Sequence, residues 1–416
     1  MAGPTLHPPA PPAPAAESPS RPPRMMSVDV LRGFDMFWII GGEHIVKALN
    51  RMDGGPVLAA VTTQLSHTKW EGFTFFDLIF PLFLFLMGVS IVLSMDRLLA
   101  TAGRRAAFIR IARRSILLFA LGVIYYGGIS KGWANMQWAG VLHRIALCYL
   151  FGALLYAMLP RRGIVAAAIL CLIGYWALMT FVPVPDLRLD KANISQLAAR
   201  IGTESPAALS AAVPSTVQGS YEEGLNLANY VDFRFLPGRK RNTYYTNEGL
   251  LSTIPSIATT LFGIMAGWVL KSTRRNDRNK ALLLVVAGAA AIMAGMLWGV
   301  SFPVVKRIWT SSYCLVASGA SAALLGVFYL VIDVWKWQRW TAPFLWIGTN
   351  ALVVYLAVNF IDFEALSSRF VGGEILAFLD TSVAPGAGGL LAAAVALLLP
   401  LLLLRFLHRN RIFIRL

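Results

Sequence analysis

The chain reads as an all-α polytopic membrane protein with about ten transmembrane helices and one long extracytoplasmic loop. Three observations carry that reading. Of its 416 residues, 57% are hydrophobic, and the mean hydropathy is +0.62. Only 14% are charged, against roughly 25% in soluble domains. Apolar runs of about 20 residues, the length that crosses a bilayer, recur along the sequence. The formal charge of +16 raises nucleic acid as a partner. The basic residues, however, fall in short clusters between apolar runs, as cytoplasmic loops of membrane proteins do. The lipid bilayer, and not nucleic acid, is therefore the expected partner. Cys148, Cys171 and Cys314 lie in or at apolar runs without CxxC spacing, so neither a disulfide framework nor a metal site is expected.

Residues 1–24, with PPAPPAPAA near the start, have the composition of a disordered tail and lack the apolar core of a signal peptide. Residues 25–416 form the transmembrane domain. Its first span, Val30 to Leu49, is polar for a membrane helix, carrying Arg32, Asp35, Glu43 and His44 around Gly41-Gly42. Such residues face a bundle interior, not lipid. Asp29, Arg32 and Asp35 have the spacing of ion pairs on one helix face, or simply fix the helix end.

The second span, Phe73 to Leu93, follows the stretch SHTKWEG. His67, Lys69 and Glu71 then sit where water meets hydrocarbon, with Asp77 just inside. Histidine is the side chain suited to proton transfer near neutral pH. A polar loop and a helix start, with Asp77 near the N-terminal end of the helix dipole, is the plainer reading of the same residues. Arg97 to Arg114 carries six arginines and is expected to be a cytoplasmic loop. The third span, Ser115 to Ile129, reaches membrane length with Phe108 to Ile111 added.

After a short outer loop, the fourth span, Ala139 to Leu159, opens with GVLHRIALCY. His143 and Arg144 fall in its first turns. A buried arginine there needs a partner or an anionic ligand, unless it snorkels outward. Arg161-Arg162 makes a tight inner turn before the fifth span, Gly163 to Val182. Residues 183–248 are the one long hydrophilic segment, and their aromatics and turn residues predict an ordered cap. Asn247-Glu248-Gly249 introduces the sixth span, Leu250 to Leu270. Five basic residues follow between Lys271 and Lys280. The remaining spans are Ala281 to Val300, Ser312 to Ile332, Ala342 to Ile361 with GTNALVVYL at its centre, and Gly388 to Leu407. Loop charges place both termini in the cytoplasm, and His67 and the long loop on the other side.

Several segments then resemble one family. They are SVDVLRGFDMFWIIGGE, SHTKWEGFTFFDLIFPLFLFLMGVSI, GVLHRIALCYL, YYTNEGLLSTIPSIATTLFGIMAGWVL, and SSYCLVASG followed by APFLWIGTNALVVYL. Together, and in this order, they are similar to the heparan-α-glucosaminide N-acetyltransferase catalytic region and its bacterial relatives. The chain is not expected to carry the large N-terminal extra-membrane domain of the lysosomal enzyme.

The resemblance implies a polytopic acyltransferase in a bacterial inner membrane. It would take acetyl from cytoplasmic acetyl-CoA and pass it to the amine of an amino sugar or glycan on the opposite side. A second copy of the chain is a further expected partner, and no metal is expected. The family's active histidine, in a His-x-x-Trp-x-Gly segment, falls on His67. Its first-span asparagine falls on Glu43, a departure that bears on the acceptor. Glu43 or Asp77 would orient the imidazole as a carboxylate does in a triad. Arg32, Arg113, Arg114 or Arg144 would meet CoA. Trp70, Glu71, Asn247, Glu248 and Asn350 would meet the acceptor. The alternative is a secondary transporter of sugars or amino-sugar fragments, which intramembrane charges and glycine-broken helices also suit. No internal repeat supports that alternative, and saturable acetyl-CoA binding distinguishes the two.

Overall fold

The computed structural model describes residues 25–52 and 55–414, leaving aside the side chains of Glu43 and Lys47. The expected tail, residues 1–24, lies outside the described residues. Helices α1 (Met26–Leu49), α2 (Gly55–Gln64) and α3 (Phe75–Tyr125) come first, then α4 (Val141–Met158) and α5 (Arg161–Phe181). The cap follows with β1 (Val184–Pro185), α6 (Lys191–Ile201), α7 (Pro206–Ala211), β2 (Thr216–Val217) and α8 (Leu227–Phe235). The second half holds α9 (Thr253–Lys271), α10 (Asp277–Gly299) and α11 (Ser311–Phe328), which continues through a wider turn, Tyr329–Val334. It ends with α12 (Ala342–Thr349), α13 (Ala351–Phe360), α14 (Phe363–Ser367), α15 (Glu374–Ser382) and α16 (Ala387–Arg409).

The architecture is all-α and membrane-spanning. Seven of the described helices are long and apolar enough to cross a bilayer, or eight when the bent pair α12–α13 is taken as one span. The expected count was about ten. The difference lies in α1, whose sequence carries five charged residues, and in α3, a single 51-residue unit.

Two expectations change in shape. The arginine-rich stretch from Arg97 to Arg114 is not a loop. It is helical on both sides of Gly103, the one residue inside α3 off the helical path, at φ 77°. Arginine, alanine and leucine are good helix formers, so the charges ride on helix ends beyond the apolar run, and glycine alone takes that dihedral without strain. The ninth span is not one helix either. It bends by 79° between α12 and α13, at Asn350.

The helices pack through small residues, which let backbones come close where lipid gives no hydrophobic drive between helices. A Cβ at Gly88 of α3 would stand 2.1 Å from the Thr260 carbonyl oxygen, and one at Gly263 of α9 would stand 1.9 Å from that of Phe85. Gly33 of α1 and Gly348 of α12 meet the same way, at 1.8 Å from the Phe344 oxygen and 2.0 Å from the Asp29 oxygen.

One end of the bundle carries ion pairs among the helix termini. Asp96 accepts from Tyr156 and Lys271, and Asp277 accepts from Tyr329 at 2.7 Å and Lys280 at 2.9 Å. The opposite end carries the cap. Residues 183–248 hold β1, α6, α7, β2 and α8. β1 and β2 pair antiparallel. Asp190 caps α6, accepting from the Asn193 N–H at 2.8 Å, and Asn226 caps α8, accepting from the Asn229 N–H at 2.9 Å. Leu187, Leu189, Ile194, Leu197, Leu209 and Phe233 give the cap its own small core.

Candidate active site

The site is built at the cap end, where the segment before α3 meets the loop before α11. Thr74 and Asp77 form a capping box at the start of α3, which satisfies orphan N–H groups of the first turn. The same aspartate serves a second purpose. Its side chain is fully buried, and Oδ1 lies 2.9 Å from His67 Nδ1. Oδ2 accepts from the Thr68 hydroxyl at 3.0 Å, the Thr68 N–H at 3.3 Å and the Thr74 N–H at 3.3 Å. The Tyr313 hydroxyl of α11 donates to the Asp77 carbonyl at 2.8 Å. A buried carboxylate persists only when its lone pairs are taken up in this way.

His67 is half exposed, at 54% of its side chain, and its ring rests 4.8 Å from that of Phe76. With Nδ1 turned to Asp77, the imidazole has Nε2 as its outward nitrogen. A carboxylate on Nδ1 fixes both tautomer and ring orientation, as in hydrolytic triads.

Lys306, from the loop between α10 and α11, completes the cluster. Its Nζ lies 3.2 Å from Asp77 Oδ1 and 3.0 Å from His67 Nδ1. An antiparallel bridge brings it there: Glu71 pairs with Val305, and the Gly72 N–H donates to the Val304 carbonyl at 2.9 Å. Burial pulls the lysine below its usual range, and the Asp77 charge opposes this. The next residue, Arg307, bonds Glu223 of the cap at 2.6 Å, and Tyr245 reaches the same oxygen at 3.0 Å. The cap thus clamps the loop that presents Lys306.

Sequence reasoning missed Lys306. One signal was present, because Lys306-Arg307 is a basic pair in a loop that the charge pattern assigns to the side poor in basic residues.

The other expected residues divide. Trp70 anchors the segment to the cap, its Nε1 donating to the Tyr221 carbonyl at 2.9 Å. Glu71 contributes its backbone bridge, with its side chain exposed. Glu248 lies within electrostatic range of both Lys306 and Arg144. Asn247 accepts from Asn242 at 3.1 Å within the cap. The Glu43 side chain lies outside the described residues.

Two more of the expected residues have partners of their own. Asn350 lies at the bend between α12 and α13. Its amide is spent on the C-terminal segment, donating to the Ile412 carbonyl and accepting from the Ile414 N–H, both at 3.1 Å. Arg144 lies in the first turn of α4, and its Nε and Nη1 have no hydrogen-bond partner among the described residues. It is buried at the cap end, donating to the Gly249 carbonyl at 3.2 Å and to Ser252, 5.0 Å over the Trp309 ring. Arg32 does lie toward the other end, bonded to Asp29 at 3.2 Å and to Ser90 of α3 at 2.7 Å. Arg114 packs 4.5 Å over the Tyr149 ring, and Arg113 is exposed.

Residues 24–196 match a family model described as heparan-alpha-glucosaminide N-acetyltransferase, catalytic. The chain is 28% identical over 386 residues to the heparan-alpha-glucosaminide N-acetyltransferase of Homo sapiens, across 80% of this chain and 52% of the human one. It is 28% identical over 342 residues to that of Mus musculus, across 70% of this chain and 48% of the mouse one. The chain thus spans about half the length of the curated relatives it matches. The matched interval includes His67, Asp77 and Arg144, and ends before Lys306.

Proposed function

From its likeness to the heparan-α-glucosaminide N-acetyltransferases, we propose that the chain belongs to that family and is a membrane-embedded N-acetyltransferase. It moves acetyl from acetyl-CoA to the amine of an amino sugar or glycan, with the donor entering from the cytoplasm and the acceptor held beneath the cap. The observation that carries this reading is the contact of His67 Nδ1 with the buried Asp77 carboxylate at 2.9 Å, which leaves Nε2 to the reactants.

In the reaction the amine nitrogen attacks the thioester carbonyl carbon. His67 Nε2 takes the proton that the amine gives up. The C–N bond forms, the C–S bond breaks, and the sulfur leaves as thiolate and gains a proton. Asp77 steadies the imidazolium as it forms. The Lys306 ammonium, 3.2 Å from Asp77 Oδ1, adds positive potential to the cluster as the carbonyl oxygen becomes an oxyanion. Glu248 and Trp70 shape the cap side, where the acceptor enters.

The test is transfer of labelled acetyl from acetyl-CoA to glucosamine by purified protein in proteoliposomes, with donor and acceptor added to the same or opposite faces. The wild type transfers across the bilayer, and His67→Ala, still folded by thermal melting, does not. Full activity in the variant removes His67 from the mechanism. Energised sugar uptake without acetyl-CoA turnover replaces the enzyme with a transporter.

A further inference from the structure

Asp35 lies on α1 with no exposed surface, and neither of its carboxyl oxygens has a hydrogen-bond partner among the described residues. One turn further along the helix, the buried Nε1 of Trp38 also lacks an acceptor. A buried carboxyl without donors is destabilising unless a ligand supplies them, and intramembrane ionisable groups mark sites by default. Here an unfilled acceptor and an unfilled donor sit three residues apart.

Their direction is set by helical spacing. Asp35, Trp38 and Gly42 follow the i, i+3, i+7 pattern of one face, and that face meets α3. The Trp38 and Phe75 rings are 5.2 Å apart. A Cβ at Gly42 would stand 2.9 Å from the Phe76 ring, and Phe76 packs on His67. At the other end of the same seam, Arg32 is tied to Ser90 of α3. From Arg32 to Gly42 the helix rises about 15 Å.

We infer that the α1–α3 seam is the slot for the amide-bearing arm of the thioester donor, with Asp35 accepting from an amide N–H of the arm and Trp38 Nε1 donating to an amide carbonyl. This rests on the acetyltransferase reading above. An acyl-CoA carries phosphates at one end, a thioester at the other, and between them an extended arm with two amides. The arm has roughly the length of four extended residues, about 14 Å, which matches the seam. Arg32 then stands at the phosphate end and His67 at the thioester end. Asp35 and Trp38 are positioning residues that do not touch the reacting atoms.

The test is equilibrium binding of acetyl-CoA and of acetyl-pantetheine, which has the arm but not the nucleotide, to the full chain in nanodiscs. The wild type binds both. Asp35→Leu and Trp38→Phe each weaken both ligands by about tenfold or more. Asp35→Asn, whose amide oxygen still accepts, retains most of the affinity. Arg32→Gln weakens acetyl-CoA and leaves acetyl-pantetheine unchanged. Asp35→Leu melts no lower than the wild type, because the carboxyl it removes is buried with no hydrogen-bond partner among the described residues, and a purely structural Asp35 gives the opposite result. Wild-type affinity for both ligands in folded Asp35→Leu and Trp38→Phe overturns the slot and leaves the acetyltransferase reading standing. A wild type that binds neither ligand overturns both.

Discussion

The imidazole Nδ1 of His67 stands 2.9 Å from Oδ1 of Asp77, yet the two residues belong to different elements, one in the segment before α3 and one in its first turn. The aspartate caps the helix and orients the histidine at once, so the helix start fixes where the imidazole stands. Asp77→Asn keeps the shape and one acceptor but loses the charge that favours Nδ1–H. It should lower acetyl transfer by about 10²- to 10⁴-fold, the range for tautomer-fixing carboxylates, and cost about 1 kcal/mol of stability through the weakened cap. Transfer of labelled acetyl together with thermal melting checks both. A variant that loses activity only because it is unfolded shows no separation of the two.

This pair was legible in the sequence because everything that makes it is local. A Thr-x-x-Asp cap followed by an apolar run signals a helix start, and His67 precedes it by a few residues. Lys306 was hidden because it lies 239 residues away from His67 in the chain and arrives through a backbone bridge at Glu71 and Val305 that no local pattern announces. The partners of Asn350 were hidden for a related reason. Its place mid-span marked it as polar and intramembrane, but the bend at that residue and the returning C-terminal segment consume its amide. The helical path of Arg97 to Arg114 was obscured because charge density read as a loop, although its residues favour helix.

Lys306 shares Asp77 Oδ1 with the imidazole, so its removal strips a positive charge from beside the base. Lys306→Met should lower the turnover number at least tenfold with a smaller effect on the acceptor KM, and Lys306→Arg should recover part of the loss by restoring charge. Steady-state kinetics in the acceptor check this. An unchanged turnover number in Lys306→Met would show that the lysine merely neutralises Asp77.

The crossing of α3 and α9 sets the distance between the site and the core below it. Gly263→Ala would place a methyl 1.9 Å from the Phe85 carbonyl oxygen, where backbone must move. A loss of about 3 kcal/mol or more is expected. Gly174→Ala on α5 meets nothing within 4 Å and should gain up to about 1 kcal/mol from helix propensity. Thermal melting of the pair in one detergent reads both signs against the wild type.

The cap carries a pH-sensitive group at its hinge onto α9. Asp232 of α8 is buried at 1% exposure and accepts from the Leu250 N–H at 2.9 Å and the Thr246 N–H at 3.2 Å. Burial pushes its carboxyl up to about 6, with those two N–H groups and the Arg144 charge acting against the rise. A raised value in the folded state means that the native cap binds the proton more tightly than the unfolded chain. The carboxyl's contribution is therefore largest below the ordinary aspartate value of about 3.9. It falls as pH rises through about 6, and is level above that. Asp232→Ala removes this dependence and adds a constant cost of about 1–3 kcal/mol for each N–H left unsatisfied. The stability gap between wild type and variant should thus widen as pH is lowered from 7 to 4.5. Hydrogen exchange of the segment from Leu227 to Leu250, compared between the two proteins at each pH, measures that gap. A gap that stays constant or narrows on acidification would mean that Asp232 is held ionised in the folded cap.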